Sequence, residues 1–345
     1  MSTAPAGRGT LRCLAAAVLF GGSAPAASVL AGGMPTLVLA GLLYLGAALA
    51  VLPVAARQRQ PMSALRNGGR SLALAVVFGG AIGPVLLVAG LERVPAATAS
   101  LLLNLELVAT IALAGVVFRE HLGRRLLVAA GLVAVAGLLL VWEPGARFDL
   151  NGLFIIGACV AWGIDNNVTA RLDQLGPEQI TLAKGAVAGT ANVVLGLAIA
   201  GSWQADAPAI VVALLIGALG YGASITLWVK GARDLGAARA QVIFALAPFL
   251  GAILSWTVLA EPITAVQLLA IPLAAAGVGL SLRTAHEHPH VHEALEHEHE
   301  HRHDDGHHHH THLEPVPASH THRHRHEPVE HAHPHVPDLH HRHAH

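Results

Sequence analysis

Glu106 lies about midway along the apolar run AATASLLLNLELVATIALAGVVF and is the most deeply placed carboxylate in the chain. An ionisable group inside a bilayer span costs a few kcal/mol, so it needs a partner or a task. Its natural task is to bind a proton or a cation in a central cavity; the alternative is a structural carboxyl held between helices. Thr110 stands one turn later on the same helix face, while Asn104 points roughly opposite on an ideal helix and falls outside this cluster. Asp165, Asn166 and Asn167 close another apolar run, and Lys184 opens the next. At 1.5 Å per residue, Asp165 is roughly 9 Å and Lys184 roughly 7–8 Å from the ends that a short connection joins. At matching depth they can pair, and each explains how the other is tolerated. The pair reads equally well as a gate that breaks and reforms or as a permanent staple. Asn192 follows two turns beyond Lys184 at similar azimuth, and Tyr221, Ser224 and Gln241 complete the candidate cavity residues. The last three are also ordinary helix-packing groups.

A second chemistry sits at the C-terminus. Residues 285–345 hold 24 of the 25 histidines, mixed with acids and prolines. Imidazole suits zinc, nickel, copper and cobalt. The HEHEH string with His297, His299 and His301, and the run His307, His308, His309 and His310, are the expected metal ligands. No cofactor is required; the tail reads as a cytoplasmic metal buffer or sensor for a divalent metal (nickel, cobalt, zinc or copper), as a pH-responsive polycation, or as dispensable low complexity. Nothing in the tail has a period that could bury a core, so it is expected to be disordered. The two HExxH matches are compositional, because Pro289 spoils the helix in one and neither sits in a fold.

What must position Glu106 and Asp165 is membrane. The chain is 53% hydrophobic and 12% charged, against about 25% charged in soluble proteins. A soluble enzyme is excluded, as is a disulfide framework, since only Cys13 and Cys159 exist. A bilayer core about 30 Å thick takes roughly 20 residues of helix. That ruler predicts an all-α polytopic fold of ten transmembrane helices: 11–31, 36–55, 71–91, 96–118, 124–142, 152–171, 179–201, 208–229, 237–259 and 264–283. Continuous apolar runs exclude barrel strands, which alternate. Arg8 and Arg12 followed by LAAAVLF and APAAS also suit a cleavable signal peptide, but the segment has a counterpart later in the chain. Basic loop residues put both termini in the cytoplasm of a plasma (inner) membrane protein, with Arg93 and Arg147 alone outside.

The chain also repeats. Gly79 falls on Gly220, Gly90 on Gly231, Ala96 on Ala237, Ala99 on Ala240 and Glu120 on Glu261, each 141 residues on. Phe20-Gly21 falls on Trp162-Gly163. Five spans per repeat, an odd number, force opposite orientations, the layout of secondary carriers. The predicted domains are 1–142, 143–284 and the tail 285–345. Glu120 and Glu261 close equivalent spans, where they cap or hold loops.

Ten spans in two halves, the closing glutamates and the strings AWGIDNN (161–167), AKG (183–185) and LNLE (103–106) resemble the drug/metabolite transporter (DMT) superfamily, with EamA-type permeases as the nearest branch and a subgroup that often ends in a His-rich tail. The resemblance covers residues 11–283. It implies an exporter of small metabolites or ions by alternating access, driven by a proton or substrate gradient. The second half carries Ala247-Pro248 in mid-span where the first has Glu106-Leu107, so a helix break is expected in one repeat only. A divalent-metal exporter (nickel, cobalt or zinc) fed by the tail and a non-transporting membrane metal sensor stand as alternatives. An enzyme is disfavoured, since no nucleophile–base arrangement appears in the spans. The expected partners are the lipid bilayer and a small-molecule or ion substrate, not nucleic acid, with a homodimer left open.

Overall fold

A computed structural model of the chain describes residues 4–57, 62–117, 123–143, 147–148, 150–170, 172, 175–201, 203–204, 206–235, 240, 243–281, 286–292, 295–301, 320–326 and 329–335. It divides into two units, Met1–Thr284 and Ala285–His345.

The first unit is helical. The first and second spans are α1 (Ala4–Ser28) and α2 (Thr36–Ala55). The third is α3 (Met62–Leu74), a π-helical stretch Ala75–Ile82, and α4 (Gly83–Leu91). The fourth is split into α5 (Ala96–Leu102) and α6 (Leu105–Val116). The fifth and sixth are α7 (Arg124–Leu140) and α8 (Gly152–Thr169). Between them Trp142–Glu143 (β1) pairs with Arg147–Phe148 (β2). The seventh is α9 (Pro177–Ala183), a π stretch Lys184–Gly189 and α10 (Thr190–Ala200). The eighth is α11 (Ala207–Gly217), a π stretch Ala218–Ala223 and α12 (Ser224–Leu235). The ninth ends in α13 (Ala247–Thr257), and the tenth is α14 (Ala265–Ser281). Among the described residues, six helices are long and apolar enough by length and composition to cross a membrane. Shorter apolar helices, α13 and α14 among them, complete a polytopic membrane bundle.

The packing respects a two-fold exchange of the halves. The second span packs on the seventh, the fourth on the ninth and the fifth on the tenth, each pair mapping onto itself. The first span packs on the eighth as the sixth does on the third, and on the ninth as the sixth does on the fourth. The first span is thus built into the bundle: Cys13, Ala16 and Ala17 are fully buried, and Arg12 pairs with Asp234 of α12 at 2.6 Å.

Small residues permit these crossings. A Cβ on Gly41 would lie 2.6 Å from the Gly189 carbonyl oxygen, and one on Gly189 would lie 3.0 Å from that of Gly41. Backbone-to-backbone approach is how helices associate where lipid offers no hydrophobic drive. The outer surface carries apolar side chains such as Val116, Ile199, Val258 and Leu269, all exposed. In water such a surface would aggregate; against acyl chains it costs nothing. Glu261 reaches back to the start of α5, accepting from the Ala96 and Ala97 amides at 2.7 and 2.8 Å. Two of the four free N–H groups at that helix start are satisfied by one carboxylate. Glu120 lies outside the described residues.

In the second unit, β3 (His286–His292) pairs with β6 (Val329–His335) and β4 (Leu295–His301) with β5 (His320–His326), both antiparallel. Each ladder is two-stranded and carries little apolar sequence to bury.

Candidate functional site

The fourth span breaks at Leu103–Asn104. There the chain makes i to i+3 turns: Asn104 N–H to Leu101 O at 3.2 Å, Glu106 N–H to Leu103 O at 3.1 Å and Leu107 N–H to Asn104 O at 3.1 Å. The Asn104 side chain donates to the same Leu101 carbonyl at 2.9 Å. The ninth span turns 142 residues later, at Ala245–Leu246, where Leu246 N–H meets Ile243 O at 3.2 Å. The expectation of a break in one repeat only is therefore corrected. In the ninth span Pro248 sits in the first turn of α13, where its missing N–H is no loss. In the fourth span no proline is needed, because Asn104 holds the turn with its own amide.

The two breaks share one cavity of about 260 Å³. Leu103, Asn104, Glu106, Leu107 and Thr110 line it from the fourth span, and Phe244, Ala245, Ala247 and Pro248 from the ninth. Phe20 of α1, Asn166 of α8, and Val278 and Ser281 of α14 complete it. Two half-helices, α6 and α13, thus begin beside the same space and turn their positive ends toward it. Glu106 stands in the first turn of α6, where that field favours a carboxylate. Asn166 donates to Glu106 Oε1 at 2.7 Å and to Thr110 Oγ1 at 3.2 Å. Asn104 belongs to this cavity, against the sequence expectation, because the break cancels the helix-wheel argument that turned it away.

Asp165 does not line the cavity. Its carboxylate pairs with Lys184 Nζ at 2.5 Å and accepts from Thr169 Oγ1 at 3.0 Å. The pair occupies a niche made by the π stretch of the third span. A Cβ on Gly79 would collide with the Asp165 carboxylate, and one on Gly80 would lie 3.2 Å from Lys184 Cβ. A π stretch leaves carbonyls out of helical register, and side chains of neighbouring spans take them. Trp162 Nε1 donates to Gly79 O at 3.2 Å, and Asn192 Nδ2 to Ala81 O at 3.2 Å. The repeat-related niche is uncharged: Gly220 faces Ser23, which bonds to the Phe20 carbonyl.

The other candidates divide plainly. Asn167 is buried and donates to Thr110 O at 3.0 Å and Gly163 O at 2.8 Å, tying α8 to α6. Tyr221 packs between Phe20 and Tyr44, with ring centroids 6.0 and 5.7 Å away. Ser224 is fully buried and donates to Gly220 O of its own span. Gln241 lies outside the described residues, as do His307, His308, His309 and His310; of His297, His299 and His301 only the backbone is described. Among the described residues, no three His, Cys, Asp or Glu side chains gather as a metal site. Sequence reasoning missed Phe20, Asn104, Phe244 and Pro248 as cavity residues. The overlay of Asn104 on Ala245, just before Ala247-Pro248, was the signal available.

The EamA-like transporter family model matches the chain twice, over residues 7–142 and 151–283. An uncharacterized transporter of Methanothermobacter thermautotrophicus is 25% identical over 209 residues, 59% of this chain and 61% of that protein. The chain thus spans about three fifths of that relative's length. A protein of known crystal structure superposes with a TM-score of 0.53 at 20% identity, over 79% of this chain and 96% of its own. That likeness speaks to the fold alone.

Proposed function

The chain belongs to the EamA-like transporter family, and we propose that it exports a small substrate through the Glu106 cavity by alternating access. One observation carries the reading: equivalent spans of opposite repeats break within one residue of equivalent positions and meet at one cavity. A site on the axis that exchanges the halves is exposed to one side or the other when the halves rock. The volume, about 260 Å³, falls below the roughly 300–1,000 Å³ of drug-sized pockets, which favours a small metabolite.

In this reading the seam of the third, sixth and seventh spans is the cytoplasmic gate, and Asp165–Lys184 is its latch. The seam of the first, second and eighth spans, with Ser23, Tyr44 and Tyr221, closes the other side. Both termini face the cytoplasm, and a proton or substrate gradient drives the cycle. The latch suits a gate because its parts interlock: opening the seam withdraws Asp165 from Lys184 and from the glycine niche together.

The test is flux in proteoliposomes, with and without a pH gradient, across a panel of amines, amino acids, carboxylates and divalent metals. Saturable flux of one class, lost in Glu106→Gln, supports the reading. A protein that binds ligand yet moves none of them across the bilayer contradicts it.

A further inference from the structure

The geometry points to a small organic cation, an amine on a short apolar body, as the ligand of the cavity. This deepens the transporter reading and rests on it.

The first ground is charge. Glu106 is the ionisable side chain lining the cavity, and no Lys, Arg or His lines it among the described residues. Lys184, the cation at depth, is engaged by Asp165 at 2.5 Å. A carboxylate in a span needs a counter-charge, and a guest cation supplies one.

The second ground is hydrogen-bond polarity. Asn166 spends its side-chain N–H groups on Glu106 Oε1 and Thr110 Oγ1, leaving Oδ1 for a guest. Asn104 spends one of its two on Leu101 O. Among the described residues, Glu106 Oε2 accepts no hydrogen bond. The polar lining is therefore rich in acceptors and poor in donors. An ammonium group has the converse character, three donors and no acceptor.

The third ground is the apolar part. Phe20 and Phe244 stand with ring centroids 5.2 Å apart, and both line the cavity. Aromatic faces receive a cation or the apolar body behind it. Leu103, Leu107 and Val278 extend that wall. A bare metal ion would leave most of this surface untouched. The helix ends that face the cavity would draw an anion, but it would meet the Glu106 carboxylate, and α13 begins at Ala247-Pro248, where the proline removes one N–H donor.

The experiment is calorimetric titration of the detergent-purified full chain with four probes: n-butylamine, phenethylamine, phenylacetate and nickel chloride. Both amines bind, phenethylamine more tightly, and phenylacetate does not. Glu106→Gln, which keeps the acceptor for Asn166, weakens amine binding by about tenfold or more. Phe244→Leu weakens phenethylamine by roughly threefold. Equal binding of phenylacetate, nickel binding that is lost in Glu106→Gln, or amine binding unchanged in that variant each overturns the proposal. The amine-against-acid comparison uses the native chain, so it holds even if a variant misfolds. Two-sided accessibility of the cavity, measured separately, still stands if the amine assignment fails.

Discussion

Asp165 and Asn166 are consecutive in α8 yet bond to different neighbours: Asp165 to Lys184 of the seventh span at 2.5 Å, Asn166 to Glu106 of the fourth at 2.7 Å. One stretch of one helix therefore touches both the cavity and the ion pair. A ligand that competes for Glu106 changes what holds Asn166, and with it the seat of Asp165. Glu106→Gln and Asp165→Asn should accordingly be non-additive in transport rate, with a coupling of about 0.5–2 kcal/mol. A double-mutant cycle on initial flux measures it; additive effects would separate the two sites.

The ion pair should show the asymmetry of buried charge. Lys184→Met alone leaves Asp165 unpaired and destabilises by about 3–5 kcal/mol. Adding Asp165→Asn removes the orphan charge and should restore most of the stability. Thermal unfolding in detergent, followed by size exclusion, reads both. If transport in the double variant matches the native chain, the pair is a staple and not a gate.

Gly79→Ala drives a methyl group into the Asp165 carboxylate. A loss of about 1–3 kcal/mol is expected for such overpacking. Gly131 has open space where its Cβ would sit, so Gly131→Ala is the matched control and should leave the melting temperature unchanged or slightly raised.

Charge at depth made part of the site legible in the sequence. Glu106, Asp165 and Lys184 stood out because lipid penalises them, and equal depth on adjoining spans was enough to suggest the pair. The fourth-span break was not legible, since LLLNLE contains neither proline nor glycine and Asn104 reads as an ordinary helical residue. Assuming an unbroken wheel then sent Asn104 to the wrong face. Phe20 and Phe244 escaped notice because an aromatic ring lining a cavity looks like one facing lipid. Tyr221, Ser224 and Asn167 were over-read in the other direction, their polar atoms being used in helix packing.

Asn104→Leu tests the break itself. It removes the donor that holds Leu101 O and lets the fourth span straighten. Stability should change by only about 1 kcal/mol, while flux falls much further. Hydrogen exchange at Leu105 and Glu106 should slow as regular helical bonds form; unchanged exchange would mean that the turn does not depend on Asn104.

Dual access of the cavity is what the whole mechanism requires. Thr110 lines it, and the two native cysteines, Cys13 and Cys159, are buried and can be replaced by alanine. A Thr110→Cys chain in oriented vesicles can then be treated with a membrane-impermeant thiol reagent from one side at a time. Labelling from either side, reduced on both by substrate, is the expected result. Labelling from one side alone, under every gradient and ligand tried, would contradict alternating access through Glu106.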